Sequence, residues 1–237
     1  MIKPLLVDLY CCSGGATRGY QQAGFRVIGV DIESKYRRNY PAPFIVDDAL
    51  VVLRTLLNGG SVGGYQLDDI AAFHASPPCQ GWSQLSVARG DGTQYKYPNL
   101  IPSTRELLIA TWKPYAIENI VKAPMVNTAI TLCGTQFGKR YMWHRKFDCN
   151  FYVTQLKCDH NPATTYASPF TMPNYNRIKH DFGPTPNAET RFHLWRGVDW
   201  THNNKERREA IPPIYAEYVG QYLMRQLVSQ SEMRLAA

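Results

Sequence analysis

At 237 residues, with 44% hydrophobic and 12% aromatic side chains, the chain can bury a full core, which favours one globular domain with a small appendage. Its apolar runs stop well short of the roughly 20 residues of a membrane helix, and Met1-Ile2-Lys3-Pro4 lacks a signal-peptide pattern, so a cytoplasmic protein with reduced cysteines is expected. The formal charge of +7 is concentrated: residues 86–146 hold nine basic side chains against three acidic ones, which suits a polyanionic partner.

In chain order, Leu5 to Tyr10 reads as a short apolar strand and Cys11-Cys12-Ser13-Gly14-Gly15 as a tight turn. A helix from about Ala16 to Gly24 and a strand from Phe25 to Ile32 complete a β–turn–α–β opening. Asp48 can cap a helix running through Leu57, with Gly59-Gly60 past its end. Ile70 to Ser76 is a third strand, broken by Pro77-Pro78. Ser103-x-x-Glu106 has the form of a capping box for a helix that must stop near Pro114, and Tyr115 to Glu118 is a further buried strand. Strands alternating with helices predict an α/β fold with a doubly wound, mostly parallel sheet. Residues 150–195 are rich in Pro, Asn, Thr and aromatics and show no period, so they read as a small irregular insertion. Pro212-Pro213 then opens a long amphipathic helix carrying Tyr215, Tyr218, Val219, Tyr222, Leu223 and Leu227.

Three places carry chemistry. The strand, Gly-rich turn, helix and strand ending at Asp31 have the layout of a nucleotide-type cofactor site. There the glycines admit the ligand to the backbone and the acid accepts from ribose hydroxyls. The turn is not G-x-G-x-x-G, however, because Cys12 and Ser13 stand where glycines would be wanted. Ser76-Pro77-Pro78-Cys79-Gln80 follows a strand, so Cys79 projects into the crevice beyond it. Partial burial beside a basic segment is expected to raise its thiolate fraction. Ala116-Ile117-Glu118-Asn119 brings an acid to the end of another strand, where desolvation would raise its pKa and let it donate a proton to a ring nitrogen.

Taken together these stretches resemble the cytosine-C5 DNA methyltransferases, in particular compact phage-encoded members. Asp8-Leu9-Tyr10-Cys11-Cys12-Ser13-Gly14-Gly15 is similar to the family's D-L-F-x-G-x-G-G cofactor motif, Pro78-Cys79-Gln80 to its P-C-Q nucleophile motif, and Glu118-Asn119-Ile120 to its E-N-V motif. Leu132-Cys133-Gly134 through His144-Arg145-Lys146-Phe147 resembles the segment preceding target recognition, and Ala210-Ile211-Pro212-Pro213 with Tyr215, Glu217-Tyr218 and Gly220 resembles the closing helix. The resemblance implies a Rossmann-like methyltransferase domain dependent on S-adenosylmethionine, formed by residues 1–149 and 196–237, with residues 150–195 reading the target. It implies that Cys79 adds to C6 of a flipped cytosine while Glu118 protonates N3 and C5 takes the methyl group. Of the family's R-x-R motif, Trp143-His144-Arg145 keeps Arg145 alone, with Arg140 a substitute for the missing arginine. For the cofactor it assigns Tyr10 and the Ser13-Gly14-Gly15 turn, with Pro77, to the methionine end. Asp31 falls to the ribose, and Asp48, or Asp47 one residue earlier, to the adenine.

Tyr166, Tyr175, Asn176, Arg177, Lys179 and Arg191 are placed to meet bases and phosphates of double-stranded DNA. Cys149, Cys158 and His160, with His180 or His193, invite a zinc reading, yet their spacings match no familiar pattern and no metal is expected. A monomer is expected, and an RNA-directed enzyme or a non-catalytic DNA-binding relative stays open beside the DNA methyltransferase.

Overall fold

The computed structural model describes residues 2–79, 98–161, 165, 193 and 196–236. Among them, strands β1 (Leu5–Leu9), β2 (Arg26–Asp31), β3 (Phe44–Val46), β4 (Ile70–Ala75), β5 (Tyr115–Asn119), β6 (Ile130–Leu132) and β7 (Arg145–Cys149) form one sheet ordered β3-β2-β1-β4-β5-β7-β6. Strands β1 to β5 pair parallel, whereas β7 runs antiparallel to both β5 and β6. The helices are α1 (Gly15–Gln22), α2 (Ala49–Leu57), α3 (Ile101–Ala110), α4 (Asn204–Glu209) and α5 (Pro213–Ala236). No helix among the described residues is long and apolar enough to cross a membrane.

Every residue of β1 is buried, as a parallel strand covered on both faces must be. Its alternation divides the core in two. Leu6 points toward α1 and α5 and packs with Tyr20, Val27, Ala72, Tyr215 and Val219. Leu5, Val7 and Leu9 point the other way, with Ile28, Leu53, Phe73, Leu108 and Ile117, under α2 and α3. The chain steps outward from β1 through β2 and β3, then resumes on β1's other side with β4 and β5. Such a reversal opens a crevice at the carboxyl ends of β1 and β4, the usual ligand position in doubly wound sheets.

Helix α1 lies against α5 at backbone distance. A Cβ on Gly19 would stand 2.1 Å from the Pro213 carbonyl oxygen, and one on Gly220 2.7 Å from the Ala23 Cβ. Gly19→Ala should therefore destabilise the protein by about 1–3 kcal/mol through overpacking, although alanine is the better helix former. A denaturant midpoint at or above that of the native chain would refute this packing.

Asp48 caps α2 as its sequence position predicts, its Oδ1 accepting from Leu50 N at 2.7 Å and Val51 N at 3.2 Å. The capping box at Ser103 does not form, because α3 begins two residues earlier at Ile101. Pro102 fits that first turn because its missing N–H would have no helical partner there, and Asn99 Oδ1 accepts from Ile101 N instead. The same helix ends at Ala110, short of Pro114, where Trp112 takes a left-handed φ of 56°. Strands β3, β6 and β7 were not expected from sequence: two are three residues long, and β7 carries Arg145, Lys146 and Asp148.

Candidate active site

One crevice opens at this topological switch and encloses about 880 Å³, part of it open to solvent. Tyr10, Cys11, Cys12 and Gly15 after β1 form one wall, and Ser76-Pro77-Pro78-Cys79 after β4 forms the other. Glu118 and Asn119 of β5, Arg145 of β7, Tyr36 and residues 208–211 complete it. The structure thus brings Tyr10, Gly15, Pro77, Cys79, Glu118 and Arg145 together. It leaves Ser13, Gly14, Asp31 and Asp48 outside the lining.

Glu118 is buried, and the Nε of Arg145 stands 3.0 Å from its Oε1. The pair is an ion contact without hydrogen-bond alignment, for Oε1 accepts no hydrogen bond from any described residue. Burial raises the Glu118 carboxyl above the usual carboxylate range, while Arg145 and a hydrogen bond from Ser76 pull it back part of the way. The Ser76 hydroxyl also meets His74 Nε2 at 2.9 Å, and His74 Nδ1 meets the Tyr20 hydroxyl at 3.0 Å. A buried polar chain therefore runs from Glu118 under the sheet to α1. His74 stays neutral in it, burial having lowered it to about 3.

The Cys79 thiol departs from expectation. Burial and the negative Glu118 raise it above the ordinary thiol value, and Arg145 opposes them without prevailing. The predicted gain in thiolate fails chiefly because burial disfavours the charged sulfur, and the nearby Glu118 adds to that more than Arg145 relieves it. Cys79 is held in place from β5: Asn119 Nδ2 donates to the Pro77 carbonyl at 2.9 Å, and Asn119 Oδ1 accepts from Ile120 N at 2.9 Å. The motif's Gln80 lies outside the described residues.

On the opposite wall, the hydroxyl of Tyr10 meets Thr104 Oγ1 at 2.8 Å, which anchors its ring to α3. Tyr10 and Cys12 take left-handed φ values of 54° and 45°, and Gly14 one of 87°. Asp31 stabilises this turn, Oδ2 accepting from Cys12 N and Oδ1 from Glu33 N, both at 2.9 Å. A ribose hydroxyl would use the lone pairs that remain on those oxygens. The expectation that Gly14 and Gly15 make room for a ligand needs correction. A Cβ on Gly15 would stand 2.3 Å from the Ile211 carbonyl oxygen, and one on Gly14 2.6 Å from Pro41 Cδ. Their missing side chains admit the segment before α5 and the Tyr40-Pro41 loop. Ser13 likewise faces the protein, its hydroxyl donating to the Glu206 carbonyl at 2.8 Å. Asp48 is engaged in capping α2, and Asp47 is exposed.

Sequence reading did not single out Asp8, Tyr36, Asn119, Arg208 or Glu209 as lining residues, though all five face the crevice. Tyr36 donates to Glu209 Oε2 at 2.7 Å, which ties the loop after β2 to α4. Asp8 is fully buried, and burial pushes its carboxyl to about 7 against hydrogen bonds from Thr17 and Tyr40. Arg140 is exposed and lies away from the crevice lining. Trp143 meets two cations, with the guanidinium of Arg196 3.7 Å from its ring centroid and that of Arg145 5.1 Å away. Tyr166, Tyr175, Asn176, Arg177, Lys179, His180 and Arg191 lie outside the described residues.

No family model matches the chain, and no curated protein matches it. Two solved structures share its fold across nearly their whole length. The Entamoeba histolytica methyltransferase EhMeth is 11% identical, with a TM-score of 0.58 over 96% of this chain and 99% of that one. A protein described as a DNA modification methyltransferase encoded within a prophage (E. coli) is 12% identical, with a TM-score of 0.51 over 96% of this chain and 100% of that one. The doubly wound sheet with its antiparallel β7 is therefore a fold that these methyltransferases share.

Proposed function

We propose that this chain transfers a methyl group from S-adenosylmethionine to C5 of cytosine in double-stranded DNA, through a covalent adduct between Cys79 and C6. The observation that carries the reading is the convergence of Cys79 from the end of β4, Glu118 from β5 and Arg145 from β7 on one crevice. Their order and surroundings match the cytosine-C5 methyltransferase motifs that the sequence resembles, and the fold is one that methyltransferases use. The description of the prophage protein favours DNA as substrate.

The crevice suits the cofactor in size and in donor set. Tyr10, the backbone of the turn through Gly15, and Pro77 would hold its methionine end, with Asp31 and Asp48 toward the ribose and adenine. Glu209 offers a carboxyl to its cationic groups. When bound, the cofactor supplies an electrophilic methyl group.

The residues around it do the rest. The sulfur of Cys79 adds to C6 of the cytosine, which must leave the stack because its ring faces are covered in a duplex. Glu118 gives a proton to N3 as that bond forms, so the ring electrons reach C5 as an enamine. Arg145, 3.0 Å from Glu118, stabilises the carboxylate left behind. After C5 takes the methyl group, a water-mediated base removes the C5 proton, Cys79 is expelled from C6, and N3 returns its proton to Glu118. Residues 150–195 are proposed to read the target sequence.

Purified protein given labelled cofactor and mixed-sequence duplex should place label on cytosine C5, and a bisulfite profile of co-expressed DNA should return the sequence context. Label appearing on transfer RNA in competition, or cofactor-independent DNA binding without turnover, would replace this reading with one of its two rivals. Asn119→Ala, which frees the Pro77 carbonyl, should lower kcat by roughly ten- to a hundredfold with little change in KM for DNA, as expected when a nucleophile loses its orientation. An unchanged kcat would show that the strand-end loop needs no tether.

A further inference from the structure

Away from the crevice, four ligand-type side chains converge that the sequence spacing did not connect. The nearest atoms of Cys133, His144, Cys158 and His160 all lie within 4.8 Å of one another. Cys133 Sγ stands 3.5 Å from His160 Nε2, and Cys158 Sγ stands 3.7 Å from His144 Nε2. A tetrahedral zinc ion with bonds of about 2.3 Å to sulfur and 2.0–2.1 Å to nitrogen would separate such pairs by about 3.6 Å. The two imidazole rings stand edge to face at 82°, with centroids 5.0 Å apart, and each has a nitrogen within 4.8 Å of the other three ligand atoms. We propose that Cys133, His144, Cys158 and His160 hold a structural zinc ion.

The surroundings agree with that use. Thr135 donates its hydroxyl to Cys133 Sγ at 3.4 Å, and Gln136 Nε2 lies 3.4 Å from Cys158 Sγ, the outer hydrogen bonds that orient thiolate ligands. Gln136 also reaches the Thr131 and Leu156 carbonyls, so one side chain joins both arms of the site. Two sulfurs and two imidazoles form a set that selects zinc over magnesium or calcium, and four protein ligands leave no open position for catalysis. The zinc reading offered by the sequence shares Cys158 and His160 with this cluster, and its other members lie elsewhere. Cys149 is a half-buried thiol on β7 and His193 bonds Arg196 at 3.0 Å, while His180 lies outside the described residues.

The ion would tie the end of the paired β6–β7 ladder to the arm beyond β7. Cys133 follows β6, His144 precedes β7, and Cys158 and His160 sit on the arm that runs on toward residues 162–192. His144 is the neighbour of Arg145, whose Nη1 donates to the His144 carbonyl at 2.9 Å. The metal would thus fix the strand that delivers Arg145 to the crevice.

The test is metal content. The full chain, expressed in zinc-supplemented medium and dialysed, should carry about one zinc per molecule by mass spectrometry and release it when its thiols are titrated with a mercurial. His160 is exposed, so His160→Ala should fold while losing most of the zinc, and Cys158→Ser should do the same. Cys79→Ser should keep its zinc, which separates this site from the proposed chemistry. Cobalt substituted into the native chain should show tetrahedral d–d bands with thiolate-to-cobalt charge transfer, absent from Cys158→Ser. Native protein that holds no zinc after this preparation, or cobalt bound without thiolate charge transfer, would overturn the proposal. The four side chains would then be joined by S–H···N hydrogen bonds alone.

Discussion

Replacing Cys79 by alanine is expected to lower methyl transfer to DNA by at least about four orders of magnitude, since no other thiol can take its place. Cys11 and Cys12 also line the crevice, but they belong to the opposite wall, and burial raises both thiols well above the ordinary range. A duplex carrying 5-fluorocytosine gives a second readout: fluorine at C5 cannot leave as a proton does, so the Cys79 adduct should persist through denaturing electrophoresis. The alanine variant should trap nothing. Turnover or trapping that survives the substitution would end the covalent mechanism.

The pH dependence of the same step follows from which groups are raised. Reaction needs Cys79 as thiolate and Glu118 as acid, yet the thiol titrates above the carboxyl. Only a small, constant fraction of molecules holds both forms between the two pKa values, so kcat/KM should be flat across mid-range pH and fall on either side. Glu118→Gln removes one requirement. It should cost about 10²–10⁴ in rate and convert the plateau into a slope rising with pH, because thiolate fraction alone then varies. The variant also removes the negative neighbour that raises Cys79, so alkylation of this thiol should begin at lower pH. A native profile that rises through mid-range pH would show that Glu118 need not be protonated.

The parts of this machinery that were legible in the sequence share one property. β1, β2, β4 and β5 are continuous apolar runs bounded by turn residues, because central parallel strands are covered on both faces. Cys79 and Glu118 stand where two such runs stop, so strand position alone aimed them at the crevice. β3, β6 and β7 lie toward the sheet's ends, where half-exposed side chains need not be apolar, and their short pairings escape any periodicity. The zinc ligands were illegible for a related reason. They are brought together by the antiparallel β6–β7 pairing and the arm beyond it, so no short spacing records the site. The glycine turn misled differently: the residue type was right for a close approach, but what approaches is the backbone of Ile211.

Asp8 is a fully buried lining residue that the sequence left unassigned, and Asp8→Asn should change the pH dependence of stability by several kcal/mol. Its Oδ2 accepts from Thr17 Oγ1 at 2.6 Å and from the Tyr40 hydroxyl at 3.3 Å, whereas Oδ1 has no partner among the described residues. With the folded carboxyl at about 7 and the unfolded one near 3.8, the native state keeps a proton that the unfolded chain has lost. Stability from this group is therefore complete below about pH 4, falls as pH rises toward 7, and is then level, a change on the order of 4 kcal/mol. His74 works in the opposite direction. Burial lowers it to about 3 from 6.5, so its contribution is complete above pH 6.5 and is lost as pH falls. The two slopes nearly cancel between pH 4 and 6.5, so these two groups together add little net pH dependence there. Asparagine cannot ionise, so Asp8→Asn removes the Asp8 slope: the variant's stability should rise with pH from 4 to 6.5 relative to that of the native chain. Relative to the native chain it should gain up to pH 7, ending on the order of 10 °C higher in Tm at pH 8. Parallel Tm curves for the two proteins across this range would mean that Asp8 is ionised in the fold.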